Sequence, residues 1–288
     1  MDIPTQSNRV KLQFRYILIL EWLDDMDVPT GAQLHAFLKS IGMESVLVVC
    51  KSSSDIRAAI EQAQRDIPAK GIPVVHIESH GSDPKQSTLK ELDFGMNAAP
   101  GLLWTELGDW LAPLNRECQF QLLVIGATCF GFGTIAAMKL YEHVAPFAAV
   151  VGFTTSVKEN SLHDSMKELY RAIKKGAGPS DFVNAAQREL RTGEEIHLTT
   201  ATKLAVQVLR GVYEGISTPQ AMTDRVQKLL QPLQDAGLPV GQYVIDAMPS
   251  VLRDRTQVRS HEVWDGWFPA ELQQKDPNYR LDWSWIKG

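Results

Sequence analysis

The first 176 residues alternate short apolar runs with amphipathic stretches in a regular order. The apolar runs are rich in β-branched residues and have the length and continuity of strands buried on both faces; they lie at 15–20, 45–50, 72–79, 120–127 and 147–153. Apolar residues recur at helical spacing between and after them, at 30–42, 52–67, 102–115, 133–145 and 161–176. This β-α-β-α order predicts an α/β fold in which a mainly parallel sheet lies between layers of helices.

From residue 177 the pattern changes to helices alone, at 179–190, 199–215 and 218–237. We therefore divide the chain into a core at 1–176 and a helical C-terminal extension at 177–288. The stretch from 238 onward shows no regular pattern and carries four of the seven tryptophans: Trp264, Trp267, Trp283 and Trp285. We expect these indoles to pack the tail on the core; the alternative is an aromatic patch that binds a partner.

Composition narrows the classes of function. The chain has a formal net charge of -5 and no run rich in Lys or Arg, which argues against nucleic acid or an anionic membrane as the main partner. No apolar run reaches the roughly 20 residues that span a bilayer, and no secretory signal pattern is visible. Three scattered cysteines are too few for a disulfide framework. The cytoplasm is the expected compartment.

Two of the predicted strands end at a reactive side chain that is closely followed by glycine. One strand ends in HG at His80, and a later one ends in CFG at Cys129. The carboxyl ends of parallel strands meet at one edge of a sheet, where the functional residues of such folds lie. A thiol is a nucleophile only as thiolate, which a nearby imidazole or a helix amino end favours. We therefore expect His80 and Cys129 to act together, with the glycines leaving room for a substrate backbone.

This pair of strand ends resembles the pattern of caspase-like cysteine peptidases, which include caspases, metacaspases, legumain-like and gingipain-like enzymes, separase and bacterial CHAT proteases. The resemblance covers residues 15 to about 170. It implies a three-layer α/β/α caspase-like fold and a cysteine endopeptidase. By the mechanism of that family, Cys129 of this chain would attack the scissile carbonyl, and His80 would protonate the leaving amine. Backbone N–H groups of Gly81 and Cys129 would form the oxyanion hole, and no metal or organic cofactor is required.

The resemblance also implies partners. Compact bacterial enzymes of this kind often belong to antiviral defence or cell-death systems, where they cleave a protein such as a gasdermin-like pore former. We therefore expect a protein or peptide substrate. A latent enzyme that needs an activating partner, calcium or self-cleavage is an open alternative, with 81–101 and 154–164 as the segments that would be cut or ordered. The rival from another class is a non-catalytic caspase-like binding or scaffold module.

The residue two positions before Cys129 departs from the caspase pattern. Caspases carry Gln there and metacaspases carry Asp, whereas this chain has Ala127. The stretch 21–27 also lacks the arginine that caspases place after the first strand. Cleavage after Asp is therefore not expected.

Two hypotheses stay open for the substrate residue before the cut bond. An acidic pocket formed by Glu159, or by Asp24 and Asp25, would favour Arg or Lys by charge pairing. An apolar pocket shaped by Ala127 and Phe153 would favour a residue such as Leu, and we prefer this second hypothesis.

Alternating polar residues precede the catalytic candidate in the third predicted strand. His76, Glu78 and His80 lie on one face at period two, a pattern that can supply metal ligands. The first two lie inside the predicted sheet, and no further cluster completes a site, so we expect no metal. We expect His76 or Glu78 to be paired in the core or to orient the edge of the sheet. Either a backbone carbonyl or an acid must hold the His80 tautomer, and the sequence leaves this group unidentified.

Overall fold

The computed structural model describes residues 12–83, 93–95, 101–133, 144–207, 209, 218–235 and 242–275. The described residues divide into two compact units, one before and one after residue 201. The first unit contains a sheet with its flanking helices, and the described elements of the second are helical. The sequence pattern placed the boundary earlier, at 176.

A mixed, mostly parallel sheet forms the centre of the first unit. Its strands are β1 (Tyr16–Trp22), β2 (Ser45–Val49), β3 (Pro73–Gly81), β4 (Asp93–Gly95), β5 (Leu102–Leu103), β6 (Leu123–Ala127), β7 (Ala149–Phe153) and β8 (Ile196–Thr200). The main path runs in the order β2-β1-β3-β6-β7-β8. Along this path the strands β2, β1, β3, β6 and β7 pair in parallel, and β8 is antiparallel to β7. The short strands β4 and β5 extend the end of β3 by antiparallel pairing.

Helices flank this sheet. They are α1 (Thr30–Ser40), α2 (Ser53–Lys70), α3 (Trp104–Glu117), α4 (Glu159–Lys174) and α5 (Pro179–Gln187). Leu34 of α1, Met166 of α4 and Phe182 of α5 pack in one buried cluster with strand residues such as Ile125. The helices α2 and α3 pack against each other, and α2 also contacts β1. The predicted α/β fold class with a mostly parallel sheet is therefore confirmed, while the predicted helix at 133–145 lies largely outside the described residues.

The strand β8 was not predicted, because the pattern after 176 indicated helices alone. Its backbone pairs with β7 from Phe153↔Ile196 to Ala149↔Thr200. Ile196, Thr199 and Thr200 are β-branched residues that suit a strand, although the threonines stood in a segment with helical spacing. Pairing with the free side of β7 therefore outweighs the local helical preference. The helical segment of 201–207 begins directly after this strand.

The described helices of the second unit are α6 (Pro219–Asp235), α7 (Gln242–Trp267) and α8 (Ala270–Lys275). The prediction of an irregular stretch from 238 is wrong over α7, which continues through Pro249. Proline removes one helical hydrogen bond and favours a break. Here Met248 and Leu252 of α7 pack on the apolar side chains of α6, and this packing stabilises the turn around the proline.

The tryptophans near the end of α7 are buried. Trp264 and Trp267 are 0% and 2% exposed, and both contact the ring of Phe268, with centroid distances of 4.6 and 6.4 Å. Trp283 and Trp285 lie outside the described residues. Packing of the tail on the core stays a prediction. None of the described helices combines the length and the apolar character needed to cross a membrane.

Candidate active site

The two reactive side chains singled out from the sequence lie at the ends of neighbouring strands. Parallel pairing of β3 with β6 runs up to Glu78↔Ala127. His80 and Cys129 each stand two residues further along, so both lie at the carboxyl edge of the sheet. The His80 side chain is 40% exposed, and Cys129 is partly exposed. Both groups are therefore open to a substrate at this edge.

Gly81 packs directly on the backbone that follows β6. A Cβ atom added to Gly81 would overlap the carbonyl oxygen of Cys129 and would lie 2.9 Å from Thr128 Oγ1. Glycine is therefore required by the protein's own chain, whereas the sequence suggested room for a substrate. This contact joins the His80 end of β3 to the Cys129 end of β6.

The turn that carries Cys129 is tight. Phe130 has a positive φ of 54°, a conformation that costs a residue with a side chain about 1–3 kcal/mol and often marks a functional site. Its N–H donates to the carbonyl of Thr155 at 3.1 Å, and the N–H of Gly131 donates to the carbonyl of Thr128 at 3.0 Å. These bonds stabilise the strained turn. A helix amino end beside Cys129 stays a prediction, because the residues from 134 to 143 lie outside the described part.

The segment after β7 lies beside the thiol. Cys129 Sγ is 3.6 Å from Ser156 Oγ and 3.7 Å from the carbonyl oxygen of Val157. Glu194 fixes the end of this segment, because its Oε1 accepts the N–H of Lys158 at 2.8 Å. The other oxygen, Oε2, accepts the N–H of Arg191 at 2.9 Å. The buried carboxylate of Glu194 thus joins the segment beside the Cys129 thiol to the turn before β8.

The pKa of Glu194 reflects two opposing influences. Burial of the carboxyl group raises it, while hydrogen bonds from the backbone N–H groups of Lys158 and Arg191, and from Ser161, lower it. The net result is a pKa below the usual value for Glu. The carboxylate is therefore ionised and accepts both backbone bonds at neutral pH.

Asp27 is the group that the sequence left unidentified. His80 Nε2 and Asp27 Oδ2 are 2.8 Å apart, and the same oxygen accepts the N–H of Asp24 at 2.9 Å. The hydrogen bond from His80 is the main cause that lowers the pKa of Asp27. An ionised Asp27 fixes the proton on Nε2 and leaves Nδ1 as the basic nitrogen of the imidazole. Sequence alone could not select among Asp24, Asp25 and Asp27, because the turn after β1 decides which of them faces His80.

The other two cysteines are poor nucleophiles. Cys50 and Cys118 are fully buried, and burial raises the pKa of each thiol to about 12. Both stay protonated at neutral pH. Cys129 is the one cysteine of the three that is not buried.

The four residues proposed for the substrate pocket differ in their exposure to solvent. Ala127 and Phe153 are 1% and 0% exposed within the core, so neither presents surface to a substrate. Asp25 is 85% exposed and forms an ion pair with Lys51 on the surface. Glu159 is exposed in the first turn of α4, where its negative charge interacts favourably with the helix dipole. The expected apolar pocket therefore lacks both of its walls.

Among the described residues, one group has ligand atoms close enough for a metal ion. The ligand atoms of Asp24, Asp27 and His80 lie within 4.8 Å of one another. Asp27 and His80 already bond each other, which accounts for their approach. His76 and Glu78, which the sequence suggested as alternating ligands, are buried and form a hydrogen bond of 2.8 Å with each other.

Comparison with known proteins places the chain in no family. No protein-family model matches it, and no curated protein matches it in sequence. Function is therefore inferred from the side chains gathered at the carboxyl edge of the sheet.

Proposed function

We propose that this chain is a caspase-like cysteine endopeptidase in which Cys129 is the nucleophile, His80 the general acid and base, and Asp27 the residue that orients His80. The observation that carries the proposal is the pairing of β3 with β6, which brings His80 and Cys129 to one edge of the sheet. The contact of Gly81 with the Cys129 carbonyl and the 2.8 Å bond between His80 and Asp27 support it.

The first half of the reaction forms an acyl-enzyme. The thiol proton of Cys129 passes to His80 Nδ1, and the thiolate attacks the scissile carbonyl carbon. The N–H groups of Gly81 and Cys129 donate to the oxyanion of the tetrahedral intermediate. When the intermediate collapses, the C–N bond breaks and the imidazolium of His80 gives its proton to the leaving amine. A thioester on Cys129 is left.

The second half releases the acyl group. His80 Nδ1 takes a proton from a water molecule, whose oxygen attacks the thioester carbonyl. The C–S bond then breaks, the carboxylic acid product leaves, and the proton returns to the thiol. Through both halves the carboxylate of Asp27 holds the Nε2 proton and stabilises the imidazolium. Acid–base catalysis of this kind contributes about 10²–10⁴-fold to the rate.

The substrate in this proposal is a protein or peptide, and no cofactor takes part. Of the two hypotheses for the residue before the cut bond, the basic one is now preferred, because the side chains of Ala127 and Phe153 are buried. Glu159 is the exposed acid that stays in that hypothesis. A role in bacterial defence or cell death, with a gasdermin-like substrate in the cytoplasm, rests on the resemblance to the family.

Digestion of a proteome-derived peptide library tests the proposal. Wild-type protein and the Cys129→Ala variant are incubated with the library, and the products are read by mass spectrometry. Cuts made by the wild type alone support the peptidase, and the aligned cuts give the preferred residue before the bond. Cuts made equally by both proteins contradict it. No cuts by either protein leave a latent enzyme or the binding or scaffold module, and the alkylation rate of Cys129 separates these two.

A further inference from the structure

A continuous chain of buried hydrogen bonds runs from α4 through β3 to the first residue of α1. Tyr170 Oη lies 2.9 Å from His76 Nδ1, and His76 Nε2 lies 2.8 Å from Glu78 Oε1. Thr30 Oγ1 donates to the other oxygen of Glu78 at 2.8 Å. Tyr170 and His76 are 0% exposed, Glu78 is 2% exposed and Thr30 is 6% exposed. Moving polar groups into a core costs free energy that their hydrogen bonds offset only in part, so a buried chain of this length suggests a role beyond stability.

With Glu78 ionised and one proton on the His76 ring, the hydrogen bonds of this chain assign a proton to each donor. An ionised Glu78 can only accept, so His76 donates from Nε2 while Thr30 donates from its hydroxyl. His76 Nδ1 then accepts the hydroxyl proton of Tyr170. Each polar group of the chain then has a partner. The carboxylate of Glu78 is thus held by two donors, one on its own strand and one on α1.

The two segments that the Glu78–Thr30 bond joins each carry one of the proposed catalytic groups. Glu78 stands two residues before His80 on β3, and Thr30 stands three residues after Asp27. The capping residue of α1, Pro29, makes no side-chain capping bond. Buried carboxylates from the sheet hold this helix end: Glu78 at Thr30, and Glu21 at the N–H of Ala32, 2.9 Å away.

The turn that carries Asp27 has little packing of its own. Met26 and Val28, on either side of Asp27, are 96% and 39% exposed. Local backbone bonds within the turn, such as Asp27 N–H to the Asp24 carbonyl at 3.0 Å, shape it but do not attach it to β3. Its position relative to His80 therefore depends on where β1 ends and where α1 begins.

We propose that Glu78 is a positioning residue: through Thr30 it holds the start of α1, and with it Asp27, at hydrogen-bond distance from His80. The catalytic consequence rests on the proposed peptidase function, whereas the effect on His80 does not. Removal of the Thr30 hydroxyl leaves the helix end with the Glu21 bond alone, weakens the bond between Asp27 and His80, and releases the imidazole from a single tautomer. Removal of the Tyr170 hydroxyl deletes a hydrogen bond at the far end of the chain and leaves the Thr30 link intact.

The test measures the tautomer of His80 by ¹⁵N NMR of histidine-labelled protein, with Cys129→Ala as the background so that cleavage plays no part. The His80 signals are identified by their loss in His80→Ala. Thr30→Val keeps the shape of Thr30 without its hydroxyl, and Thr30→Ser keeps the hydroxyl. Tyr170→Phe is the matched control, because it also removes one buried hydroxyl. Glu78→Leu removes the acceptor of the Thr30 hydroxyl from the other side of the same link, should Thr30→Val fold poorly.

We expect His80 to be protonated on Nε2 in the background protein, in Thr30→Ser and in Tyr170→Phe, although the last unfolds at a lower temperature. In Thr30→Val and Glu78→Leu the shifts of the two ring nitrogens should move toward each other, as in exchange between tautomers. Identical His80 shifts in Thr30→Val and Tyr170→Phe would overturn the positioning role. In protein that retains Cys129, kcat should fall about tenfold in Thr30→Val and recover in Thr30→Ser. An absence of cleavage by wild-type protein would count against the peptidase alone, since the NMR result decides the positioning role independently.

Discussion

The carbonyl oxygen of Cys129 occupies the space that a side chain on Gly81 would need. This contact explains why a glycine follows His80. It also brings the ends of β3 and β6 closer than two strands with ordinary side chains could come at this point. The relative position of the proposed base and nucleophile therefore depends on a backbone contact.

Replacing Gly81 with alanine should separate these two strand ends. The added methyl group overlaps the Cys129 carbonyl, so we expect a loss of about 1–3 kcal/mol in the free energy of unfolding, as for other overpacked sites. Peptide cleavage should fall further than this loss of stability explains, because His80 and Cys129 move apart. Urea denaturation and cleavage of the peptide library measure the two effects.

Gly266→Ala is the matched control for this substitution. A Cβ atom at Gly266 meets nothing within 4 Å, and the residue lies in α7. Alanine there should leave cleavage unchanged and add up to about 1 kcal/mol of helix stability. Equal cleavage by Gly81→Ala and Gly266→Ala would show that the contact at Gly81 has no part in the site.

Replacing Asp27 with asparagine should reduce catalysis while the protein stays folded. An asparagine side chain can turn its NH₂ group toward His80 Nε2, which favours the tautomer with the proton on the wrong nitrogen. We expect kcat to fall by about 10²–10⁴-fold, with a smaller change in KM. Initial rates on a peptide found in the library measure this change.

The neighbouring residue Asp25 offers a control of the same chemistry. It is exposed and paired with Lys51, away from any bond to His80 among the described contacts. Asp25→Asn should cleave at the wild-type rate and with the same preference for the residue before the cut. A shift in that preference would restore the role in a basic-residue pocket that the sequence suggested for Asp25.

Glu194 should make stability depend on pH. Its carboxyl has a lower pKa in the folded protein than the ordinary value of 4.5 for a glutamate. A lowered folded pKa adds stability that is present above the unfolded value and is lost as pH falls through the folded one. Glu194→Gln should therefore cost about 1–3 kcal/mol at neutral pH, because an amide NH₂ would face one of two backbone N–H donors.

The difference in unfolding free energy between wild type and Glu194→Gln should shrink as pH falls below the unfolded pKa and through the lower folded pKa of the Glu194 carboxyl. Urea denaturation at neutral and acid pH gives this difference. Glu195→Gln is the control, because the Glu195 side chain is 59% exposed. A Glu194→Gln deficit that stays constant with pH would contradict the assignment of the backbone bonds to an ionised carboxylate.

Sequence patterns were sufficient for the features that depend on local periodicity. Continuous apolar runs gave the strands that end near His80 and Cys129, and their order gave the α/β class. The position of both residues at one edge followed, because parallel strands share their carboxyl ends. The resemblance to a peptidase family pointed to the same pair and stays a hypothesis about the reaction.

Features set by contacts between distant segments were missed. Asp27 became the partner of His80 through a turn whose shape the three aspartates after β1 do not reveal. The strand β8 forms because β7 offers a free side, and α7 passes Pro249 because its neighbours pack on α6. Burial of Ala127 and Phe153 likewise depends on which face of the sheet the helices cover. None of these contacts produces a periodic pattern of apolar and polar residues that could be recognised in the sequence.

Alkylation of the three cysteines by iodoacetamide at neutral pH tests most directly whether His80 activates Cys129. Wild-type protein and His80→Ala are sampled over time, and mass spectrometry gives the labelling rate of each cysteine peptide. We expect Cys129 to be labelled first in the wild type. In His80→Ala its labelling rate should be lower by about tenfold or more. Cys50 and Cys118 should react only after unfolding. A Cys129 rate no higher than that of Cys50 and Cys118, or unchanged without His80, would contradict the proposed pair.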